Sequence, residues 1–429
     1  MDTSRLPSAP RARPRAALEV LAVFLRLGLT SFGGPIAHLG YFRREFVVRR
    51  NWLDEQRYSD LVGVCQFLPG PTSSQVGFSI GLLRAGWLGA LAAWCAFTLP
   101  SVLLLLGFAV LAPHLSGGIG DGLVHGLKLV AVAVVAQAVW DMVRRLCPDR
   151  RRAAIALCAM ASLGVLSGSA YAQLVAIAVG ALLGFALCRE ARSPASSSLS
   201  STSSSLSPDR SHAPQPVSDG RLRLLRATGL IALLLFCVLL FALPAFTRAH
   251  DSQALKLFDA FYRSGALVFG GGHVVLPLLQ QQTVATGWVA SNDFLAGYGA
   301  AQAVPGPLFT FAAYLGWMTA SPPNHWAGAL IATVAIFLPG MLLVLAALPW
   351  WQSLRARPSV AALFAGVNAA VVGLLAMALY SPVWTSAVHT PVDFAVAALG
   401  FVLLVRWNAP PLVVVALCVV TGVATAALH

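Results

Sequence analysis

Charged residues are scarce in this chain. Asp, Glu, Lys and Arg make up 10% of the 429 residues, against 58% hydrophobic residues and a mean hydropathy of +0.75. Ordinary soluble domains carry about 25% charged residues, and so small a share cannot cover a water-facing surface of this size. That excludes a soluble enzyme, a disordered protein and a nucleic-acid-binding domain. Lysine is nearly missing, with only Lys128 and Lys256 present. The sequence also lacks His or Cys pairs at metal-ligand spacing, a nucleophile motif and a phosphate loop. No metal, no cofactor and no enzymatic activity are therefore expected. The seven cysteines are odd in number, scattered and mostly inside apolar runs, which reads as packing rather than as disulfides.

Apolar length is abundant. Residues 86–112, 227–247 and 409–428 are almost uncharged, and runs of about 20 residues span about 30 Å of hydrocarbon. The solvent is a lipid bilayer. The net charge of +13 and pI of 10.1 do not point to nucleic acid, because the basic residues fall in short bursts between apolar spans, as the positive-inside bias places them. Arg5, Arg11, Arg13 and Arg15 ahead of an apolar stretch resemble a cleaved signal. The stretch recurs mid-chain, however, and is read as retained.

The chain repeats itself. Leu18–Phe32 lies over Leu255–Phe269 without a gap, matching Phe24 with Phe261, Arg26 with Arg263 and Gly28 with Gly265. Gly33-Gly34-Pro35 follows in the first copy and Gly270-Gly271-Gly272 in the second. Trp52 then matches Trp288, Gln66-x-x-Pro69-Gly70-Pro71 matches Gln302-x-x-Pro305-Gly306-Pro307, and Leu99-Pro100 matches Leu338-Pro339. More weakly, Lys128 matches Asn368. The expected domains are a basic tail at 1–15, a first repeat at 16–190, a disordered cytoplasmic linker at 191–226, a connecting span at 227–250 and a second repeat at 251–429.

Plain span counting puts Arg43, Arg44, Arg49, Arg50 and Arg57 outside the cell, against the positive-inside rule. The conflict disappears if the Gly-Gly and Pro-Gly-Pro motifs break the apolar segments into re-entrant hairpins, which membranes tolerate where the break is buried or lines a cavity. The expected fold is an all-α integral membrane protein of two inverted-topology repeats, with about 9 full spans and 4 helical hairpins, 10–13 segments by hydropathy. The N-terminus is then cytoplasmic and the C-terminus periplasmic.

A proline at the start of a half-helix sacrifices no hydrogen bond, so Pro69-Gly70-Pro71 with Thr72, and Pro305-Gly306-Pro307, can open half-helices whose free N–H groups face an anion. Plain kinks are the competing account. Gln66 and Gln302 can donate to oxygen atoms, and Ser73, Ser74 and Thr310 are hydroxyl donors or helix caps. Arg26 and Arg263 sit inside apolar helices just before the glycine breaks, where a charge marks function by default and a guanidinium suits a tetrahedral oxyanion; snorkelling is the alternative. Lys128 and Asn368 are further substrate or coupling groups, unless Lys128 pairs with Asp141 or Glu45. His38, Glu45 and His273 are candidates to carry protons, or are structural.

The double set of motifs, Phe32-Gly33-Gly34-Pro35 with Gln66-x-x-Pro69-Gly70-Pro71 and its copy around 269–307, resembles the chromate ion transporter family. The resemblance covers nearly the whole chain outside the tail and linker. It implies a long two-repeat bacterial inner-membrane carrier that exports chromate and confers resistance, its halves of opposite topology. Gly272 in place of Pro35 and Asn368 in place of Lys128 depart from strict repetition. Expected partners are chromate, the lipid bilayer and a second copy of the chain. The rival readings are a carrier or channel for sulfate or another oxyanion, and an integral-membrane enzyme such as a chromate reductase.

Overall fold

Backbone N–H and C=O groups in hydrocarbon must be paired within their own segment, and helix is what the chain forms. The computed structural model describes residues 13–114, 117–166, 172–188, 219–350 and 357–428, and no strand occurs among them. The tail through residue 12 and the linker through residue 218 lie outside the described residues.

The first half opens with α1 (Arg13–Thr30) and α2 (Gly34–Phe42), followed by a wider helical turn over Arg43–Arg49. Then come α3 (Glu55–Phe67), α4 (Thr72–Leu111), α5 (Gly118–Leu146), α6 (Arg150–Val165) and α7 (Ala172–Leu187). Helices α8 (Asp219–Phe241) and α9 (Leu243–Ala249) connect the halves. The second half runs through α10 (Gln253–Ala266), α11 (Val275–Thr283), α12 (Ser291–Ala303) and α13 (Phe311–Met318). It ends with α14 (His325–Ala347), α15 (Pro358–Ala378), α16 (Pro391–Arg406) and α17 (Pro411–Leu428). Short 3-10 turns, Gly272–Val274 and Leu308–Thr310, lead into α11 and α13.

The 40 residues of α4 would make a straight helix about 60 Å long, about twice the hydrocarbon thickness. The chain instead turns back at Ala85 and Gly86, whose backbone angles are not helical. A methyl group on Gly81 would lie 2.2 Å from the carbonyl oxygen of Gly89, although eight residues of straight helix separate atoms by about 12 Å. The arms 72–84 and 87–111 are therefore antiparallel and touch backbone to backbone. In the second half the same hairpin is divided outright into α13 and α14, with Gly316 packed in the same way on Gly328. Gly81→Val should abolish this closure, and the loss of the monodisperse peak in size-exclusion chromatography of the purified variant checks it.

Four helices are long and apolar enough to cross a membrane, namely α4, α5, α14 with the residues through Trp350, and Ser359–Trp384. The pair α8 and α9, bent by 40°, makes a fifth. Helices α6, α7 and α16 have 16 residues each, short of the roughly 20 that a bilayer requires. The expected nine full spans are therefore not met by length and apolarity among the described residues. The reason is that the apolar runs are divided, often at glycines and prolines, into shorter helices.

The halves interlock. Gly122 and Gly126 of α5 lie against Gly422 and Cys418 of α17, while Gly180 and Gly184 of α7 lie against Gly366 of α15. Gly366 is the repeat counterpart of Gly126. The last helix of each half thus packs on the corresponding helix of the other, through small residues that let the backbones approach.

Candidate functional site

Four helix breaks meet in the middle of the molecule. Gly28 of α1 rests on Ala96 and Phe97, near the middle of the 87–111 arm, and its counterpart Gly265 of α10 rests on Ile336, the middle of α14. The breaks that follow Gly28 and Gly265 are therefore at about half the depth of these spans.

Backbone hydrogen bonds tie the breaks together across the halves. The N–H of Gly306 donates to the Ser31 carbonyl at 2.9 Å, and the N–H of Gly70 donates to the Val268 carbonyl at 2.8 Å. Ser31 and Val268 are repeat counterparts, as are Gly70 and Gly306, so the two bonds are one contact made twice. A second pair of links crosses beside them. Gln75 Nε2 donates to the Gly340 carbonyl at 3.1 Å, and the hydroxyls of Ser101 and Thr310 share a 2.6 Å bond. Pro35 also closes on Gly272, its Cγ 3.6 Å from where a Cβ of that glycine would stand, with Leu308 alongside.

Each break opens a helix whose first N–H groups have no side-chain cap. This is true at Gly33 before α2, Pro71 before α4, Gly271 before the turn into α11 and Pro307 before the turn into α13. Uncapped N-termini carry the positive end of the helix dipole, and these four converge. The hydroxyls of Ser31, Ser74 and Thr98, together with Gln302 Nε2, are buried there or nearby without a protein partner. Buried polar groups are normally hydrogen-bonded, so this set is free to bond a polar guest.

The residues singled out from the sequence separate into groups. Gly33, Gly34, Pro35, Pro69, Gly70, Pro71, Thr72, Gly270, Gly271, Pro305, Gly306 and Pro307 form the breaks or the first residue after one. Asn368 approaches Gly270, its Oδ1 3.7 Å from the position of a Cβ there. Gln302 is partly buried and hydrogen-bonded to Tyr298, whereas Gln66 is exposed on α3. Lys128 bonds Asn292 Oδ1 at 2.8 Å, not Asp141 or Glu45. His38 is buried between Ser73 Oγ, at 3.3 Å, and the Ser31 carbonyl, at 3.2 Å. His273 Nδ1 lies 2.9 Å from the Tyr298 hydroxyl.

The two arginines are not equivalent in space. Arg26 is exposed on the face of α1 that also bears Leu18, Leu25 and Leu29. Arg263 is partly buried and pairs with Asp259 at 2.7 Å. Asp259 was not singled out from the sequence, although it is the one acidic residue between Asp251 and Asp293 and stands one helical turn before Arg263.

The arginine-rich segment after α2 is neutralised from within. Glu45 accepts from Arg50 Nε at 2.6 Å and from Arg49 at 3.1 Å, while Glu19 bridges Arg50 and Arg84 at 3.1 Å each. Both Arg50 and Arg84 also lie over the Trp52 ring. Burial works against ionisation of Glu45, but the hydrogen bonds from Arg50 and Arg49 outweigh it and hold the carboxyl below the usual range. Its contribution is therefore present at neutral pH and lost as pH falls through that lowered value. Glu45→Gln should destabilise the folded protein by about 2 kcal/mol, seen as a lower midpoint in a thermal melt at neutral pH and no difference from wild type in acid.

The sequence profile of the family described as Chromate transporter matches residues 18–185 and again 255–423. The chromate transport protein of Pseudomonas aeruginosa is 26% identical over 407 residues, covering 92% of this chain and 88% of that one. The chromate transport protein of Cupriavidus metallidurans is 25% identical over 435 residues, covering 100% and 98%. The probable chromate transport protein of Synechococcus elongatus is 28% identical over 366 residues, covering 84% and 83%. No solved structure matches the chain.

Proposed function

Because this chain belongs to the chromate transporter family, we propose that it is a secondary carrier that exports chromate across the bacterial inner membrane. The observation that supports this most directly is the convergence of four uncapped helix N-termini at mid-depth. Positive dipole ends without side-chain caps suit a dianion, and their arrangement about two counterpart breaks suits a tetrahedral one. A site at the interface of two repeats, made by discontinuous helices, is also where a carrier needs it for access from either side.

Export follows from charge. A dianion leaving a cell with a negative interior gains about 4.6 kcal/mol at 100 mV, from about 2.3 per charge, so the membrane potential alone supplies drive. Proton exchange adds to it, with His38 and His273 beside the breaks as carriers. The arginine bursts at 43–57 and 144–152 support a cytoplasmic N-terminus, a periplasmic C-terminus and two inverted repeats. What such a site reads in its substrate is shape and charge, which sulfate shares.

Everted membrane vesicles test this reading. With the interior made positive, vesicles containing the protein are expected to accumulate radiolabelled chromate, its oxidation state unchanged, in the presence of excess sulfate. No accumulation, or full displacement by sulfate, overturns chromate as the substrate.

A further inference from the structure

The different surroundings of Arg26 and Arg263 point to a site in the second half alone. A cavity of about 500 Å3 opens between α9, α10 and the end of α11. Arg248, Lys256 and Arg263 line it as cations, with Asp251 and Asp259 as the acids. Gln282 of α11 and Thr286, in the turn after it, add neutral hydrogen-bonding groups. The cavity reaches from the start of α10 to about mid-depth, since Arg263 stands two residues before Gly265, which rests on Ile336.

The pair at its inner end is incompletely bonded. Asp259 is only 3% exposed and accepts from Arg263 Nη2 at 2.7 Å. That is one bond, where a guanidinium and a carboxylate can make two. Asp259 Oδ1 and Arg263 Nε are both buried with no partner. A buried ion pair offsets its desolvation only when the remaining donors and acceptors are also met. Here they are not, so the arginine is held weakly and is open to a better acceptor. The described residues of the first half carry no such acid–arginine pair at the counterpart position. Ala22 stands at the counterpart of Asp259, and the smaller cavity beside Trp52, about 130 Å3, contains Arg84, already paired with Glu19.

We propose that this cavity is an oxyanion-binding station in which Arg263 passes from the Asp259 carboxylate to the incoming tetrahedral dianion as Asp259 takes up one proton. The ligand class rests on the function proposed above. The bond between Arg263 Nη2 and Asp259 Oδ2 breaks, bonds from Arg263 to oxyanion oxygens form, and a proton from the aqueous side binds the freed carboxylate; no electrons move. Without the proton, a carboxylate and a dianion would face each other across one guanidinium in a site of low dielectric. By linkage, the proton and the oxyanion then strengthen each other's binding equally. Among the described residues, the other charged groups at the cavity are few. Arg248 of α9 lines it, and Lys256 is paired with Asp251. Between Trp326 and Ala347 α14 has no acidic or basic residue, and α8 meets α10 through Phe236.

The test is equilibrium binding to the purified full-length protein in nanodiscs. Chromate is used at mildly alkaline pH, where it is the dianion, and selenate in parallel as a tetrahedral dianion that does not titrate near neutrality. Asp259→Asn, which removes the competing charge but keeps an acceptor, should bind about tenfold tighter. Asp259→Glu should behave as wild type, and Arg263→Gln should weaken binding by about tenfold and abolish the linked proton uptake. Selenate added to weakly buffered wild-type protein should draw a proton from solution, and should not do so with Asp259→Asn. A monodisperse Asp259→Asn with unchanged or weaker affinity overturns the proposal, as does the absence of proton uptake by wild type. Selenate binding with the Asn gain but no chromate binding upholds the station and discards chromate. Chromate accumulation in vesicles with variants that bind as wild type discards the station alone.

Discussion

Neither half of this chain, expressed alone, is expected to accumulate as folded protein, whereas co-expression of residues 1–205 and 206–429 should restore a complex that transports. The reason lies in how the halves are packed. Without the second half, the glycine face of α5 loses α17 and the glycine face of α7 loses α15. The carbonyls of Ser31 and Val268 lose the N–H groups of Gly306 and Gly70, which lipid cannot replace. Helix association in a membrane depends on close packing and hydrogen bonds rather than on a hydrophobic drive, so little remains to hold a half together. The cut falls in the linker, outside every contact described above. Affinity purification of each half with and without its partner, followed by size-exclusion chromatography, checks this. A monodisperse single half would show that the reciprocal contacts are dispensable.

The second large effect is expected at the two glycines that exchange those hydrogen bonds. Gly70 has a φ of +117° and Gly306 a φ of +101°, where a side chain strains the backbone by about 1–2 kcal/mol. Space is also missing. A Cβ on Gly70 would lie 3.0 Å from the Gly340 Cα, and one on Gly306 would lie 3.2 Å from the Ser101 Cβ. Gly70→Val and Gly306→Val should each push the crossing apart, separate the helix N-termini and lower initial chromate transport by more than about tenfold, the equivalent of about 1.4 kcal/mol in the barrier. Gly107→Ala is the control, since a methyl group there meets open space, and its rate should match wild type. Wild-type rates in both valine variants would remove the crossing from the transport path.

Much of the architecture is legible in the sequence alone. Ten per cent charge over long apolar runs already required helices in lipid, because no other open structure pairs its backbone there. The ordered landmarks from Phe24 and Phe261 through Pro100 and Pro339 identified two copies of one unit. Glycine and proline in the middle of apolar segments marked the breaks, since both disfavour continued helix whatever surrounds them. These are local properties, and a sequence states local properties directly.

Tertiary structure decided what each residue faces. Arg26 and Arg263 occupy the same repeat position, yet one is exposed beside leucines and the other pairs with Asp259, because a single difference one turn away, Ala22 against Asp259, changes the partner. Lys128 and Asn368 diverge in the same way, toward Asn292 and toward Gly270. The turn inside α4 has neither a proline nor a polar run to announce it, and exists because Gly81 and Gly89 permit two helix backbones to touch. The exchange of hydrogen bonds between Gly70 and Val268, and between Gly306 and Ser31, joins residues about 200 positions or more apart. The sequence by itself determined that the chain is helical, membrane-embedded, doubled and broken at four places; only packing decided that the four breaks share one point. Breaks follow from the backbone preferences of a few consecutive residues, whereas their convergence depends on distant surfaces that fit.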